Sequence, residues 1–208
     1  MYYEVRTYTL RPGSVAEFEE RYAKRLPLRE QHSKLGAFWH TEVGTLNQVI
    51  HVYPYEDMQQ RTAVREAMAQ DTARAQIPGG REFIVAQETE IVIPAPFMHP
   101  LGSRDYGTGN LYEMRSYTFA PGDIPKVLDG WAKAIEAREQ YSPLAACWTS
   151  ELGGLNKFVH VWVYKDLNER ARIREATRKA GVWPPQTGVR PLRQENKILV
   201  PTAFSPVR

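Results

Sequence analysis

An α+β fold made of two tandem ferredoxin-like units is what this 208-residue sequence predicts. Three observations carry that expectation. A shift of 109 residues lays YEVRTYTLRPG at Tyr3 on YEMRSYTFAPG at Tyr112 without a gap. The same shift carries Trp39, Glu42, Gly44, Leu46, Asn47, His51, Tyr55 and Asp57 onto Trp148, Glu151, Gly153, Leu155, Asn156, His160, Tyr164 and Asp166. Within each copy, β-forming stretches and stretches of helical spacing follow in the order β-α-β-β-α-β, the split βαβ arrangement in which two helices cover one face of a four-stranded antiparallel sheet. Two copies of about 100 residues are far longer than solenoid units, so the chain is a domain pair and not an array.

Each element has its own warrant. Tyr3 to Leu10 is rich in β-formers and stops at Pro12-Gly13, and Tyr112 to Phe119 stops at Pro121-Gly122, which gives the first strand of each copy. Ser14 with Glu17 reads as a capping box, and Phe18, Tyr22 and Leu26 form the buried stripe of a helix that Pro27 is expected to kink or end. Val127, Trp131 and Ile135 echo that stripe behind Asp123 as N-cap and Pro125 in the first turn. Ala37 to Val43 and Leu46 to Tyr55 form a hairpin around Gly44, matched by Cys147 to Leu152 and Leu155 to Tyr164. Asp57 with Gln60, and Asp166 with Glu169, open the second helix of each copy. Phe83 to Ile93 and Lys197 to Val200 supply the last strands. The expected boundaries are a first domain over 1–95, a Pro- and Gly-rich linker over 96–110 and a second domain over 111–208.

Composition bounds the function. Hydrophobic residues make up 42% and charged residues 25%, a mixture that can build a packed core. Net charge is only +3, with 27 basic residues interleaved among 24 acidic ones, so the electrostatic footprint of a nucleic-acid binder is missing. The single cysteine, Cys147, matches Phe38 in the first copy and reads as apolar filler, which suits a reducing cytoplasm. No basic start followed by an apolar run, and no stretch of about eighteen apolar residues, marks an export signal or a membrane span.

Helices on one sheet face leave the other face bare, and the expected cover is the other copy, packed sheet to sheet. Alternation along the third strand then assigns Ile50, Val52, Pro54, Val159, Val161 and Val163 to the helix side. The opposite parity carries Asn47, Val49, His51, Tyr53 and Tyr55, and Asn156, Phe158, His160, Trp162 and Tyr164. The first strands add Glu4, Arg6 and Tyr8, and Glu113, Arg115 and Tyr117. These polar and aromatic residues are expected to line a cavity shared between the two sheets, wider on the first-copy side, where Val49 and Tyr53 stand in place of Phe158 and Trp162.

The motifs Y-E-[VM]-R-x-Y-x-x-x-P-G and W-x2-E-x-G-x-LN-x3-HV-x2-Y-x-D, present in both copies, resemble those of the NIPSNAP family in the dimeric α+β barrel superfamily. The resemblance implies that the two copies pair into an intramolecular dimeric α+β barrel, with further dimerisation or a protein partner open. It supplies no catalytic residues. Relatives in that superfamily include haem-degrading and cofactor-free quinone-forming monooxygenases and lactone isomerases, and the family's animal members are associated with mitochondria and protein partners.

From the residues themselves, His51 and His160 are the catalytic candidates, because imidazole can move a proton near neutral pH. The alternative for each is a hydrogen-bonded structural histidine. Ligand-binding candidates are Glu4, Arg6, Tyr8, Asn47, Tyr53, Tyr55, Glu113, Arg115, Tyr117, Asn156, Trp162 and Tyr164. The Glu-Arg pairs also read as plain ion pairs, and the tyrosines as interface filler. Arg61, Arg65, Arg170 and Arg174 read as solvated helix edges and stay outside the site. No metal-ligand spacing, nucleophile elbow, phosphate-cradling loop or dinucleotide fingerprint occurs, so no metal or cofactor is expected. The two function classes left are a small-molecule site with cofactor-free acid/base chemistry and a non-catalytic interaction module whose barrel is fully packed.

Overall fold

Two successive sets of strands and helices make up the computed structural model, which describes residues 1–107 and 109–208. The first copy runs β1 (Tyr2–Leu10), α1 (Val15–Arg29), β2 (Ala37–Val43), β3 (Gln48–Tyr55), α2 (Met58–Gln70), α3 (Thr72–Gln76) and β4 (Ile84–Pro94). The second runs β5 (Leu111–Thr118), α4 (Ile124–Glu139), β6 (Leu144–Leu152), β7 (Lys157–Tyr164), α5 (Leu167–Lys179) and β8 (Arg193–Pro201).

Local chemistry explains most boundaries. The Asp57 and Asp166 carboxylates accept the backbone N–H of Gln60 and Glu169 at 2.7 Å and start α2 and α5. The expected capping box at α1 does not form, because the Ser14 hydroxyl donates to the Arg11 carbonyl instead, at 2.7 Å. Pro27 does not end α1, which continues to Arg29. Arg29 holds that last turn by donating to the Tyr55 hydroxyl at 3.0 Å and the Ser33 carbonyl at 3.2 Å. Asn47 and Asn156 sit in the β2–β3 and β6–β7 turns with φ of 55° each, a left-handed conformation that asparagine tolerates. Their carbonyls accept from Leu10 and Phe119 N–H at 2.8 and 2.9 Å, so both shape turns and tie them to the neighbouring strand.

The eight strands of the described residues close into one antiparallel barrel in the order β1-β3-β2-β8-β5-β7-β6-β4. Each copy supplies a ferredoxin-like sheet, and the seams are β2 on β8, with Trp39 opposite Pro201, and β4 on β6, with Pro94 opposite Trp148. The fold class is therefore the expected one: two ferredoxin-like halves joined in a dimeric α+β barrel.

The barrel interior, however, is not the polar face. It holds Val5, Ile50, Val52, Val159, Val161, Val163 and Leu199 with four large aromatics. Tyr3 meets Trp148, and Trp39 meets Tyr112, each pair 5.8 Å between ring centres and drawn from both copies. Trp39 and Trp148 are fully buried, so their rings contribute apolar burial that is partly offset by an indole N–H without a hydrogen-bond partner in each. The expected helix-side assignment of Ile50, Val52, Val159, Val161 and Val163 is corrected: these compact aliphatics fill the narrow barrel, and the longer polar and aromatic side chains go under the helices. The segment after β4 is docked, with Met98, Leu101 and Tyr106 packed on the barrel core and Leu101 N–H donating to the Tyr3 hydroxyl at 3.3 Å. Among the described residues, no helix is long and apolar enough to cross a membrane.

Candidate functional site

A cleft in the first copy opens where α1, α2 and α3 lie over the outer face of the sheet. Register brings the polar residues together there: His51 is paired with Arg6 of β1 and Phe38 of β2, and Glu4 with Tyr53. Over them α1 places Phe18, Tyr22, Arg25, Leu26 and Arg29. The helix α2 contributes Arg65, Met68 and Ala69, α3 contributes Arg74, and Gly79, Arg81 and the start of β4 complete the walls. The cavity measures about 700 Å³. Its cause is visible in the helices: α2 has no buried residue, whereas its counterpart α5 buries Ile173 and Thr177.

Glu4 anchors one side. Only 1% exposed, it accepts from Arg6 at 3.2 Å and Arg61 at 2.5 Å, with Arg65 at 3.7 Å. Arg6 also donates to the Tyr8 hydroxyl at 2.9 Å. Arg61 and Arg65, read from the sequence as solvated edges, thus belong to the Glu4 cluster, because a buried carboxylate needs cationic partners.

His51 anchors the other side. Its ring stacks on Phe38 and meets the Tyr8 ring edge-on at 4.8 Å. Its Nδ1 lies 3.3 Å from the Tyr22 hydroxyl, which lies 2.5 Å from the Tyr53 hydroxyl. Burial, followed by the Arg6 and Arg29 charges, pushes the imidazole pKa well below its ordinary value, so the ring is neutral at pH 7. Burial also raises Tyr22 well above the usual phenol range, and raises Tyr53 to about 12 against the opposing pull of Arg29. Both phenols therefore keep their protons. His51 Nε2 is buried and has no hydrogen-bond partner, a state that His160 Nε2 shares in the second copy, but only at His51 does open space adjoin the ring. Arg29 lies over the Tyr53 ring at 3.9 Å, which fixes that wall.

The second copy builds the same frame and fills it. Glu113 accepts from Arg115 at 2.7 Å, Arg170 at 2.6 Å and Asn196 at 3.2 Å. Burial alone would raise its carboxyl, but Arg170, Arg115 and Asn196 outweigh that and hold it down at about 2. Tyr117 accepts from Arg115 at 2.6 Å, and Tyr164 from Arg138 at 3.1 Å. Where Tyr22, Val49, Tyr53 and Arg74 stand in copy one, the shift of 109 places Trp131, Phe158, Trp162 and Trp183. Trp131 packs 4.6 Å from both His160 and Trp183, and the Trp162 indole N–H donates to His160 Nδ1 at 2.9 Å.

The expectation of one polar cavity between the sheets is thus overturned. Glu4, Arg6, Tyr8, His51, Tyr53 and Tyr55 do converge, but beneath the helices of copy one. Glu113, Arg115, Tyr117, His160, Trp162 and Tyr164 form a separate, plugged constellation in copy two, while Asn47 and Asn156 lie in turns. Open space falls on the first-copy side, where Tyr53 stands for Trp162. Sequence reasoning missed Arg25, Arg29, Arg74 and Arg81; the available signal was the contrast of Arg25 with Ala134 and of Arg74 with Trp183. Among the described residues, no three His, Cys, Asp or Glu side chains gather as metal ligands would.

Comparison with known proteins places the chain among relatives. The NIPSNAP family profile matches residues 3–99 and again 112–206. Mouse protein NipSnap homolog 3B is 32% identical and human protein NipSnap homolog 3A 31% identical, each alignment covering all of this chain and 86% of the relative. A putative monooxygenase from Lactobacillus acidophilus superposes over 96% of this chain and 92% of its own with a TM-score of 0.65, at 10% identity, a likeness of fold.

Proposed function

The chain belongs to the NIPSNAP family, and from that premise we propose that its first copy is a binding site for one small, partly apolar molecule, with the second copy as its structural counterpart. The observation that carries this reading is the contrast inside one chain: open space of about 700 Å³ beside His51, and a tryptophan plug beside His160. A cavity of that size, lined by arginines and tyrosines on some walls and by Phe18, Leu26, Met68 and Ile84 on others, suits a small molecule with a polar and an apolar part.

Cofactor-free proton transfer is the chemistry that the cleft is equipped for. His51 is neutral, and its Nε2 makes no bond within the protein. Tyr22 touches the other ring nitrogen and Tyr53 backs Tyr22, so the hydroxyl pair orients the imidazole, and a proton taken from a bound acid at Nε2 would stay on the ring as imidazolium until it is returned to the same ligand. A bound phenol or carbonyl compound seated against His51 would exchange a proton there.

A screen of phenols, quinones, carbonyl acids and haem by thermal shift tests this reading, since a ligand at 100 times its Kd adds about 2.7 kcal/mol of stability. Hits should bind one per chain and disappear in Tyr53→Trp, which copies the plug of the second half. Hits unaffected by both Tyr53→Trp and His51→Ala would place the ligand elsewhere. A screen without hits would favour the second reading, a protein-interaction module, to which the packed barrel interior already lends support.

A further inference from the structure

We infer that the occupant of the first-copy cleft is an amphipathic organic anion, its carboxylate or phosphate head held by Arg25, Arg74 and Arg81 and its aromatic or acyl body directed toward His51 and Tyr53. This rests on the cleft being a binding site and adds the class of ligand.

Charge count is the first ground. Six arginines line the cavity against one carboxylate, Glu4, and that carboxylate is taken by Arg6, Arg61 and Arg65. Arg29 is held by neutral groups, the Tyr55 hydroxyl and the Ser33 carbonyl. Arg25 and Arg74 each have a buried Nε without a partner. The nearby Asp71 attracts both cations, but its oxygens are engaged by the Arg74 backbone N–H at 2.8 Å and by His32 at 3.2 Å. Burial and then repulsion from Arg74 and Arg81 push the Arg25 pKa below its ordinary value. Gathering like charges without a counterion is costly, and an oxyanion between them relieves the repulsion.

Residue type is the second ground. Every cation lining the cleft is arginine, whose planar fork pairs bidentately with carboxylate or phosphate. Backbone makes room for one of them: a Cβ on Gly79 would meet Arg25 Nη1 at 1.7 Å. The third ground is the internal comparison, because the closed second copy has Ala134 and Trp183 where Arg25 and Arg74 stand. Open space and the Arg25 and Arg74 guanidinium groups occur together in the first copy, whereas the closed second copy lacks both and keeps Arg138 and Arg190 at the positions of Arg29 and Arg81. Deeper in, Phe18, Leu26 and the unanswered His51 Nε2 supply the apolar and polar contacts for the body.

Three probes with one body test it by titration calorimetry on the full chain: 1-naphthoate, 1-naphthyl phosphate and 1-naphthalenemethanol. At least one of the two anions should bind about tenfold or more tighter than the alcohol, and the tighter of the two identifies the head group. An Arg25→Gln, Arg74→Gln double variant should bind all three within about threefold of the alcohol's wild-type affinity, with no loss in Tm. Gly79→Ala, which displaces Arg25 and leaves every charge in place, should weaken the anions alone. Equal binding of alcohol and anions to the wild type, or a preference that survives in the double variant, would overturn the inference while leaving the cleft a binding site. Failure of all three probes to bind would remove both.

Discussion

Trp162 donates its indole N–H to His160 Nδ1 at 2.9 Å, whereas the equivalent nitrogen of His51 faces the Tyr22 hydroxyl at 3.3 Å. An indole only donates, so His160 Nδ1 is the acceptor and the neutral ring carries its proton on Nε2. Nitrogen-15 NMR of the labelled protein should show the Nε2–H tautomer for His160 at pH 7. Trp162→Phe should remove that bias, and a charged imidazolium pattern for His160 at pH 6 would contradict the assignment.

Both buried histidines make stability fall on acidification. Their folded pKa values lie below the unfolded value, so the unfolded chain binds more protons and stability, complete above about pH 6.5, is lost as pH falls toward the folded values. The slope is up to about 1.4 kcal/mol per pH unit for each histidine. His40, raised by its bond to Glu19, works the other way, contributing stability below about pH 6.5 that is lost as pH rises through its folded pKa. Urea denaturation from pH 7 to 5 should show the loss, and a His51→Gln, His160→Gln variant should show a flatter profile.

Glu113 is fully buried among Arg115, Arg170 and Asn196. Glu113→Gln leaves two guanidinium groups short of their carboxylate and should cost about 3–5 kcal/mol in urea unfolding at pH 7. With the carboxyl held at about 2, its contribution is present above the unfolded carboxylate pKa and is lost as pH falls toward 2. The variant should lack that acid-dependent component.

Equivalent aromatic residues in the two copies should differ in weight. Trp131 is enclosed by Phe158, His160, Trp162 and Trp183, so Trp131→Ala should destabilise by about 3–5 kcal/mol. Tyr22 packs on Phe18, Phe38, His51 and Phe204 but has the cavity on one side, so Tyr22→Ala should cost less than Trp131→Ala, about 2–3 kcal/mol. Equal costs in chemical denaturation would mean that the first cleft is as tightly packed as the second.

The halves should depend on each other. Tyr3 on Trp148 and Trp39 on Tyr112 are contacts between copies, and each half alone would expose that apolar face. Residues 1–99 and 110–208 produced separately should associate on mixing, as read by sedimentation, and Trp148→Ala should weaken the association. Two halves that remain folded monomers would contradict the shared core.

Much of the fold was legible because the repeat supplied every strand and the two main helices twice, with Asp57 and Asp166 marking helix starts and Pro-Gly pairs the ends of the first strands, while α3, present in the first copy alone, had no such echo. Alternation also sorted the third strand correctly into two sets, Ile50 with Val52 and His51 with Tyr53. It could not say which set faced which layer, because in a closed barrel under helices both faces are buried and hydrophobicity no longer separates inside from outside. The arginines escaped for a related reason. Arg25 and Arg29 on α1 resemble an ordinary charged helix edge, and only the fold turns them toward the space that α2 leaves open.

Joining the copies in one polypeptide also frees them from symmetry. In an assembly of two identical chains, a substitution that widens one cleft widens both and doubles any loss of packing. Here Trp131, Trp162 and Trp183 can serve as ballast in one half while the other carries a loosely covered, cation-rich hollow. Specialisation of one lobe at the expense of the other is what the covalent link makes available.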